Sequence, residues 1–426
     1  MLTYSLAKFM GEDLILNIIY ILAIITASKY VLYIISSILY RKHNQKYLKA
    51  SKHVSIKKIE DEIKVSVIIP AWNESVGIIH CIKSLLLATY HNLEIIVVND
   101  GSTDDTDEVV KIFLNQEHAH ATTTKTISYV YKSNGGKGSA LNEGIKISTG
   151  QIIVTMDADT IFEPDAIKNA VRYFYKTDLD AAVGNVKIAN SKSLLGIIQQ
   201  IEYTVGFYFK RTHSVFNSEY IIGGAFGVFR RDVFEKYGYF DESIKTEDIE
   251  LSTRLQSYGC NILYLEDSIA HTEGPAYIRD LMKQRLRWKK GRLDTFIKHK
   301  NLFFSTHKDH NKFLTFYLLP ITLFYEVELL FEPLFTAFGA YYLVTTGNFQ
   351  PVLIWILFTM FIYIYTFIFG SKKNSKKAFF YRRFYFFLSY ILTFVEVYAM
   401  YESLRLYYVK KDVVWQSWTR IGLSNV

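Results

Sequence analysis

The residues Gln151 to Thr160, QIIVTMDADT, hold two carboxylates one position apart, Asp157 and Asp159. Such an oxygen-rich corner suits a hard divalent cation that also carries phosphate oxygens. As plain turn residues the same pair would hydrogen-bond its own backbone. Four more clusters carry chemistry: Pro70-Ala71-Trp72-Asn73-Glu74, Asn99-Asp100-Gly101-Ser102, Asn134-Gly135-Gly136-Lys137-Gly138 and Thr246-Glu247-Asp248. Asp100 offers an acceptor for a base imide N–H, with Ser102 the better cap for the next helix, and Gly101 admits a ligand close to the backbone. The glycine-rich loop with Lys137 suits an anion at a helix N-terminus. It lacks the spacing of a P-loop, which excludes that class of ATPase. Thr246 reads as a helix N-cap, and the acids after it also serve the helix dipole. A last cluster, Gln284-Arg285-Leu286-Arg287-Trp288, pairs a phosphate-binding guanidinium with a flat ring on which a sugar can stack. The competing reading is an Arg and a Trp at a membrane interface.

These clusters need a frame that brings them to one edge. Strands are expected at Val65–Ile69, Leu93–Val98, Ile127–Tyr131 and Gln151–Met156, with helices at Glu74–Thr89, Asp104–Phe113 and Ser139–Ser148 between them. The βαβαβαβ order predicts an α/β fold, a mainly parallel sheet with helices on both faces. Ligands of such sheets collect beyond the carboxyl ends of the strands, where these clusters fall.

Around this domain the texture is that of a membrane protein. The chain has 426 residues, with 32 Tyr, 31 Phe and half of all residues apolar. Leu14–Tyr40 exceeds the about 20 residues a spanning helix needs, and is too long for a signal peptide. Lysines and arginines follow it, which predicts a cytoplasmic flank. Tyr277–Phe304 reads as a basic amphipathic helix on the cytoplasmic leaflet. Phe313–Val344 is apolar but holds Glu326, Glu328 and Glu332, acids of a kind that face a protein interior or a polar path. Val352–Phe369 and Phe384–Met400 are read as further spans. Three simple spans would strand the basic tail on the far side, so Phe313–Val344 is alternatively a re-entrant or paired element. The net charge of +8 is assigned to lipid and pyrophosphate rather than nucleic acid, because the cations crowd around apolar spans. Two cysteines, Cys81 and Cys260, exclude a disulfide framework.

Four motifs in this order, Asp100, Asp157/Asp159, Thr246-Glu247-Asp248 and Gln284-x-x-Arg287-Trp288, resemble the processive membrane-bound family 2 glycosyltransferases, the hyaluronan, chitin, cellulose and poly-N-acetylglucosamine synthases. The resemblance covers Val65 to Arg292 and implies a GT-A-type domain at 64–275. That domain would lie between a membrane helix (1–40) with a basic linker (41–63) and interfacial helices (276–312), membrane helices (313–404) and a tail (405–426). It implies that Pro70, Ala71, Asn73, Glu74 and Asp100 hold uridine and that Lys137, Asp157 and Arg287 approach the nucleotide. Asp159, with Asp157, would ligate Mg²⁺ or Mn²⁺. Asp248, with Glu247 beside it, would be the catalytic base, and Gly223, Gly224, Gln284 and Trp288 would bind the acceptor. The implied partners are a UDP-sugar donor, UDP-N-acetylglucosamine foremost, a growing polysaccharide, membrane lipids and accessory export subunits. The implied setting is the cell membrane, multi-pass, with the catalytic domain cytoplasmic. The polymer would leave along Trp288 and the acids at 326, 328 and 332. Ser193–Lys210 and the overall size look more like poly-N-acetylglucosamine or hyaluronan synthases than cellulose synthases. Trp418-Thr419-Arg420 is similar to a gating segment of the hyaluronan and chitin types, without its glycine.

Overall fold

The computed structural model describes residues 2–119, 125–190, 193–370, 380–381, 384–413 and 419–422. The strands are β1 (Val65–Ala71), β2 (Leu93–Asp100), β3 (Thr126–Lys132), β4 (Ile152–Thr155), β5 (Thr160–Phe162), β6 (Ala181–Ile188), β7 (Gly227–Arg230) and β8 (Ile262–Thr272). The helices are α1 (Leu2–Leu48), α2 (Ile56–Glu62), α3 (Ile78–Leu86), α4 (Thr106–Ala119), α5 (Lys137–Ile147), α6 (Ala166–Phe174), α7 (Leu194–Val215), α8 (Arg231–Tyr237), α9 (Glu247–Ser257), α10 (Ile278–Lys298), α11 (Leu319–Glu328), α12 (Glu332–Thr346), α13 (Gln350–Phe369) and α14 (Tyr385–Tyr408).

All strands join one sheet in the order β3-β2-β1-β4-β7-β6-β8-β5. The first four run parallel, as the βα alternation predicts. Beyond β4 the sheet turns mixed: β7 is antiparallel to β4 and to β6, and β5 to β8. β1, β2 and β4 are covered on both faces, which is why they read as largely apolar runs. Val65, Val67, Ile69, Ile95 and Val97 pack against α3, α4 and α6. Their alternates Ile68, Ile96 and Val98 pack against α5, α8 and α9.

Among the described residues two helices are long and apolar enough to cross a membrane, Asn17–Leu48 within α1 and α13. A third crossing is added if α11 and α12, bent by 63° about a short break, form one span. That bend agrees with the paired-element reading of Phe313–Val344. The stretch Phe384–Met400 falls on α14, which is not among the helices that meet that measure. Its Glu396 carboxylate lies 3.2 Å from Arg285 and 3.0 Å from Lys289 of α10. Helix α1 is tied to α7, where Ser36 and Ser37 hydrogen-bond Thr212 and Tyr208, each at 2.8 Å.

Candidate active site

The register Ala71↔Asn99 sets the ends of β1 and β2 side by side, and the loops after them are laced together. Pro70 and Ala71 close β1, with Ala71 buried. Asn73, at φ 57°, donates its N–H to Ser102 Oγ at 3.0 Å and accepts Thr103 N–H on its side-chain oxygen at 2.8 Å. The residue serving the start of α4 is Asp104, which accepts Thr106 N–H at 3.0 Å; Ser102, the expected cap, is bound to Asn73. Asp100 is not the free acceptor the sequence suggests. Its carboxylate takes Lys132 Nζ at 2.7 Å, Gly135 N–H at 2.9 Å and Gly136 N–H at 2.7 Å. The anion cradled by the glycine-rich loop is therefore the chain's own Asp100. Gly101, at φ +68°, admits this loop rather than a ligand: a Cβ there would lie 2.7 Å from Asn134 N. Lys132 escaped the sequence reading, although the β2–β3 register pairs it with Asp100.

At the centre stands Lys137, the first residue of α5. Its Nζ is 2.6 Å from Asp157 Oδ1 and 3.3 Å from Glu247 Oε1. Gly224 N–H donates to Asp248 Oδ2 at 2.9 Å, and a Cβ on Gly224 would lie 2.4 Å from Lys137 Nζ. One ammonium, three carboxylates and the Gly223-Gly224 segment thus share one small volume. Burial by itself would lower the Lys137 pKa, but Asp157, Glu247 and Asp248 outweigh it and hold the group above its ordinary value. Burial pushes Glu247 up, against the pull of Lys137. The two acids differ in access: Glu247 is buried and Asp248 half-exposed. Of the two, Asp248 is the one an incoming molecule can reach.

Thr246 sits at the N-cap of α9, yet its hydroxyl makes no capping bond. Helix α10 packs directly on this cap: a Cβ on Gly291 would lie 2.1 Å from Thr246 Oγ1. Along α10, Gln284 is buried and its Oε1 has no hydrogen-bond partner among the described residues. The charge of Arg287 is felt at Glu247. One face of Trp288 is covered by the Arg285 guanidinium at 4.4 Å, so a sugar can stack only on the other. Three cations of the basic stripe pair with acids of other helices. Arg285 pairs with Glu202 at 2.7 Å, Lys289 with Glu326 at 2.6 Å, and Arg292 with Glu326. Glu326 is thereby engaged and does not line a path as a free acid.

Asp159 accepts Thr272 Oγ1 at 3.1 Å and Thr160 Oγ1 at 3.2 Å on one oxygen. Its other oxygen is 2.6 Å from Arg420 Nη1. Arg420 also grips Glu74 through both carboxylate oxygens. Burial pushes Glu74 up to about 7 even so. Arg420 thus reaches the site, as the tail resemblance implies; Trp418 lies outside the described residues. Among the described residues no three His, Cys, Asp or Glu side chains could hold a metal ion together. A two-carboxylate corner fits a cation whose remaining ligands come from a bound diphosphate, and it already holds the positive charge of Arg420.

A family model, Glycosyl transferase family 2, matches residues 66–238. A poly-β-1,6-N-acetyl-D-glucosamine synthase of Staphylococcus epidermidis is 34% identical over 257 residues, 60% of each chain. A second one, from S. epidermidis strain RP62A, is 32% identical over 294 residues, 67% of each. One from S. aureus strain COL is 34% identical over 253 residues, 58% of each. The matched stretch spans between 58% and 67% of the length of these curated relatives. Among solved structures, a mannosyltransferase from Pyrobaculum calidifontis in complex with GDP-Man and Mn²⁺ superposes with TM-score 0.53. At 16% identity it covers 90% of this chain and 99% of its own, which shows a common GT-A-type fold. With acids, lysine and glycine turn gathered at the strand ends of that fold, the chain belongs to glycosyl transferase family 2.

Proposed function

We propose that this protein is an inverting membrane glycosyltransferase that moves N-acetylglucosamine from UDP-N-acetylglucosamine onto a growing β-linked polysaccharide. The observation that carries this reading is the meeting of Lys137, Asp157, Glu247 and Asp248 beside Gly224. An acceptor hydroxyl attacks C1 of the donor sugar while UDP leaves from the opposite face. The half-exposed Asp248 takes the hydroxyl proton. A single base without a protein nucleophile gives one displacement, so an α-linked donor yields a β-linked product. Arg287 and Lys137 offset charge growing on the leaving diphosphate. Asp157 and Asp159 would hold Mg²⁺ or Mn²⁺, which supplies further charge neutralisation there. Among the described residues Asp100 Oδ2 accepts one N–H, from Gly136; its second lone pair is assigned to the uracil imide. Gln284 and the open face of Trp288 are assigned to the acceptor sugar.

The α1 and α13 spans support a membrane setting for this reaction, with the catalytic domain on the cytoplasmic side and the polymer exported through the helices. The contact of Arg420 with Asp159 requires an even number of crossings between the catalytic domain and the tail.

The test is UDP release by the purified full chain across a panel of UDP-sugars, with and without Mn²⁺, and product length on a gel. UDP-N-acetylglucosamine is expected to give metal-dependent release and long product. Asp248→Asn should lower transfer by about 10²–10⁴-fold with UDP binding retained. A near wild-type polymerisation rate in that variant overturns the base assignment.

A further inference from the structure

Arg420 does not reach Asp159 unaided. The next two residues bind a single carboxylate: Ile421 N–H donates to Glu273 Oε1 at 2.6 Å and Gly422 N–H to Glu273 Oε2 at 3.2 Å. Glu273 is only 4% exposed. Among the described residues its carboxylate has no other hydrogen-bond or ion-pair partner. A buried carboxylate without partners is costly, so this acid is satisfied only while the tail lies on it. Glu273 is also joined to the acidic corner, since its N–H donates to the Asp159 carbonyl at 3.2 Å. Gly422 holds φ +85°, and a Cβ there would lie 3.0 Å from Val76 Cγ1. The tail therefore makes a fitted contact, backbone on Glu273 and guanidinium on Glu74 and Asp159.

We propose that Glu273 is a positioning residue for the C-terminal tail, and that the guanidinium it places on Asp159 excludes a divalent cation from that carboxylate until the tail lets go. This rests on the assignment of Asp157 and Asp159 as the metal corner. The Asp159 oxygen forms an ion pair with the Arg420 guanidinium at 2.6 Å, and that positive charge, held in a largely buried place, repels a divalent cation approaching the same oxygen. Metal binding and tail docking are thus coupled negatively, and the coupling is reciprocal. When a donor brings its own diphosphate, the freed Arg420 has an anion of matching geometry at hand.

The experiment is Mn²⁺ binding to the purified full chain without donor, read by the electron paramagnetic resonance of free Mn²⁺. Trypsin cleavage after Arg420, whose side chain is only 12% exposed while docked, reports tail release. Glu273→Gln and Arg420→Ala are each expected to bind Mn²⁺ about 10-fold more tightly, within the usual range of coupling between sites. Mn²⁺ should speed tryptic release of the wild-type tail, and Glu273→Gln should be cut fast with or without metal. Asp159→Asn separates the two readings. If it loses Mn²⁺ while Glu273→Gln and Arg420→Ala bind like wild type, the metal corner stands and tail exclusion is overturned. If Asp159→Asn binds Mn²⁺ like wild type, the metal corner falls, and tail exclusion with it.

Discussion

The parallel strands β3-β2-β1-β4 and the mixed strands β7-β6-β8-β5 deliver acids to the same rim but satisfy them differently. On the parallel side the partners come from the βα loops of neighbouring strands. Asp100 is held by Lys132, Gly135 and Gly136, and Asp157 by Lys137. On the mixed side they come from segments far along the chain. Thr246 abuts Gly291 of α10, and Glu273 is held by Ile421 and Gly422. The parallel half is thus a platform held mainly from within the sheet, with Glu74, gripped by Arg420, as the exception. The mixed half is completed by segments far along the chain. Under the function proposed above, the platform would serve the returning nucleotide and the mixed half the advancing product.

Lys137→Met tests the comparison most severely, since Lys137 is the tie between the halves. It leaves Asp157 and Glu247 facing each other without their shared cation. Loss of one partner from a buried pair costs about 3–5 kcal/mol. Loss of a preorganised charge at the leaving group lowers the rate by about 10²–10³-fold. A melting curve and UDP-release kinetics should show both losses. A variant with near wild-type kcat would show that the halves are not joined through this residue.

Gly291→Ala addresses the mixed half alone. In an ordinary helix interior Ala is the more stable residue by about 0.5–1 kcal/mol. Here the new Cβ would meet Thr246 Oγ1 at 2.1 Å, so α10 must shift and carry Gln284, Arg287 and Trp288 with it. A displacement of about 1 Å can cost about 10²-fold in rate. The expected outcome is a fall in polymer synthesis of up to that size with UDP binding unchanged, measured by product formation and UDP titration. A fall in UDP affinity of equal size would mean that the parallel half is no independent platform.

The same division explains what the sequence made legible. In the parallel half β1, β2 and β4 are short apolar runs ending in candidate site residues, so strand and site announced each other; the half-exposed β3 did not announce its Lys132. In the mixed half, β5 has 3 residues and β7 has 4, too few for a pattern. Strand β8 carries Glu266-Asp267 in mid-run, where its pairing with β6 shifts register. The cations of α10 were visible, but the acids that claim them, Glu202, Glu326 and Glu396, lie on three other helices. Glu273 follows the strand-end rule that marked Asp100 and Asp157 and went unread because β8 did.

The smallest expected effect lies at the far end of the platform. Glu94, the second residue of β2, binds β1, β2 and the α5–β4 turn through one carboxylate. Its oxygens accept Ser66 Oγ, Thr149 N–H and Gly150 N–H, the last at 3.2 Å, and pair with Lys64 at 2.8 Å. Burial works against its ionised form, but Lys64, Ser66 and Thr149 prevail and hold its pKa down at about 2. The sign follows from that depression. Ionised Glu94 contributes its full stability above the ordinary value of 4.5, and the contribution is lost as pH falls toward about 2. Glu94→Gln keeps the shape and removes the charge. It should cost about 1–3 kcal/mol at neutral pH, with the deficit closing as the pH of a denaturant titration is lowered through that window. Transfer kinetics should not change, because the substitution lies at the amino ends of the strands, away from every acid at the rim. A change in kcat without a change in stability would show that the platform is tuned from below rather than merely held.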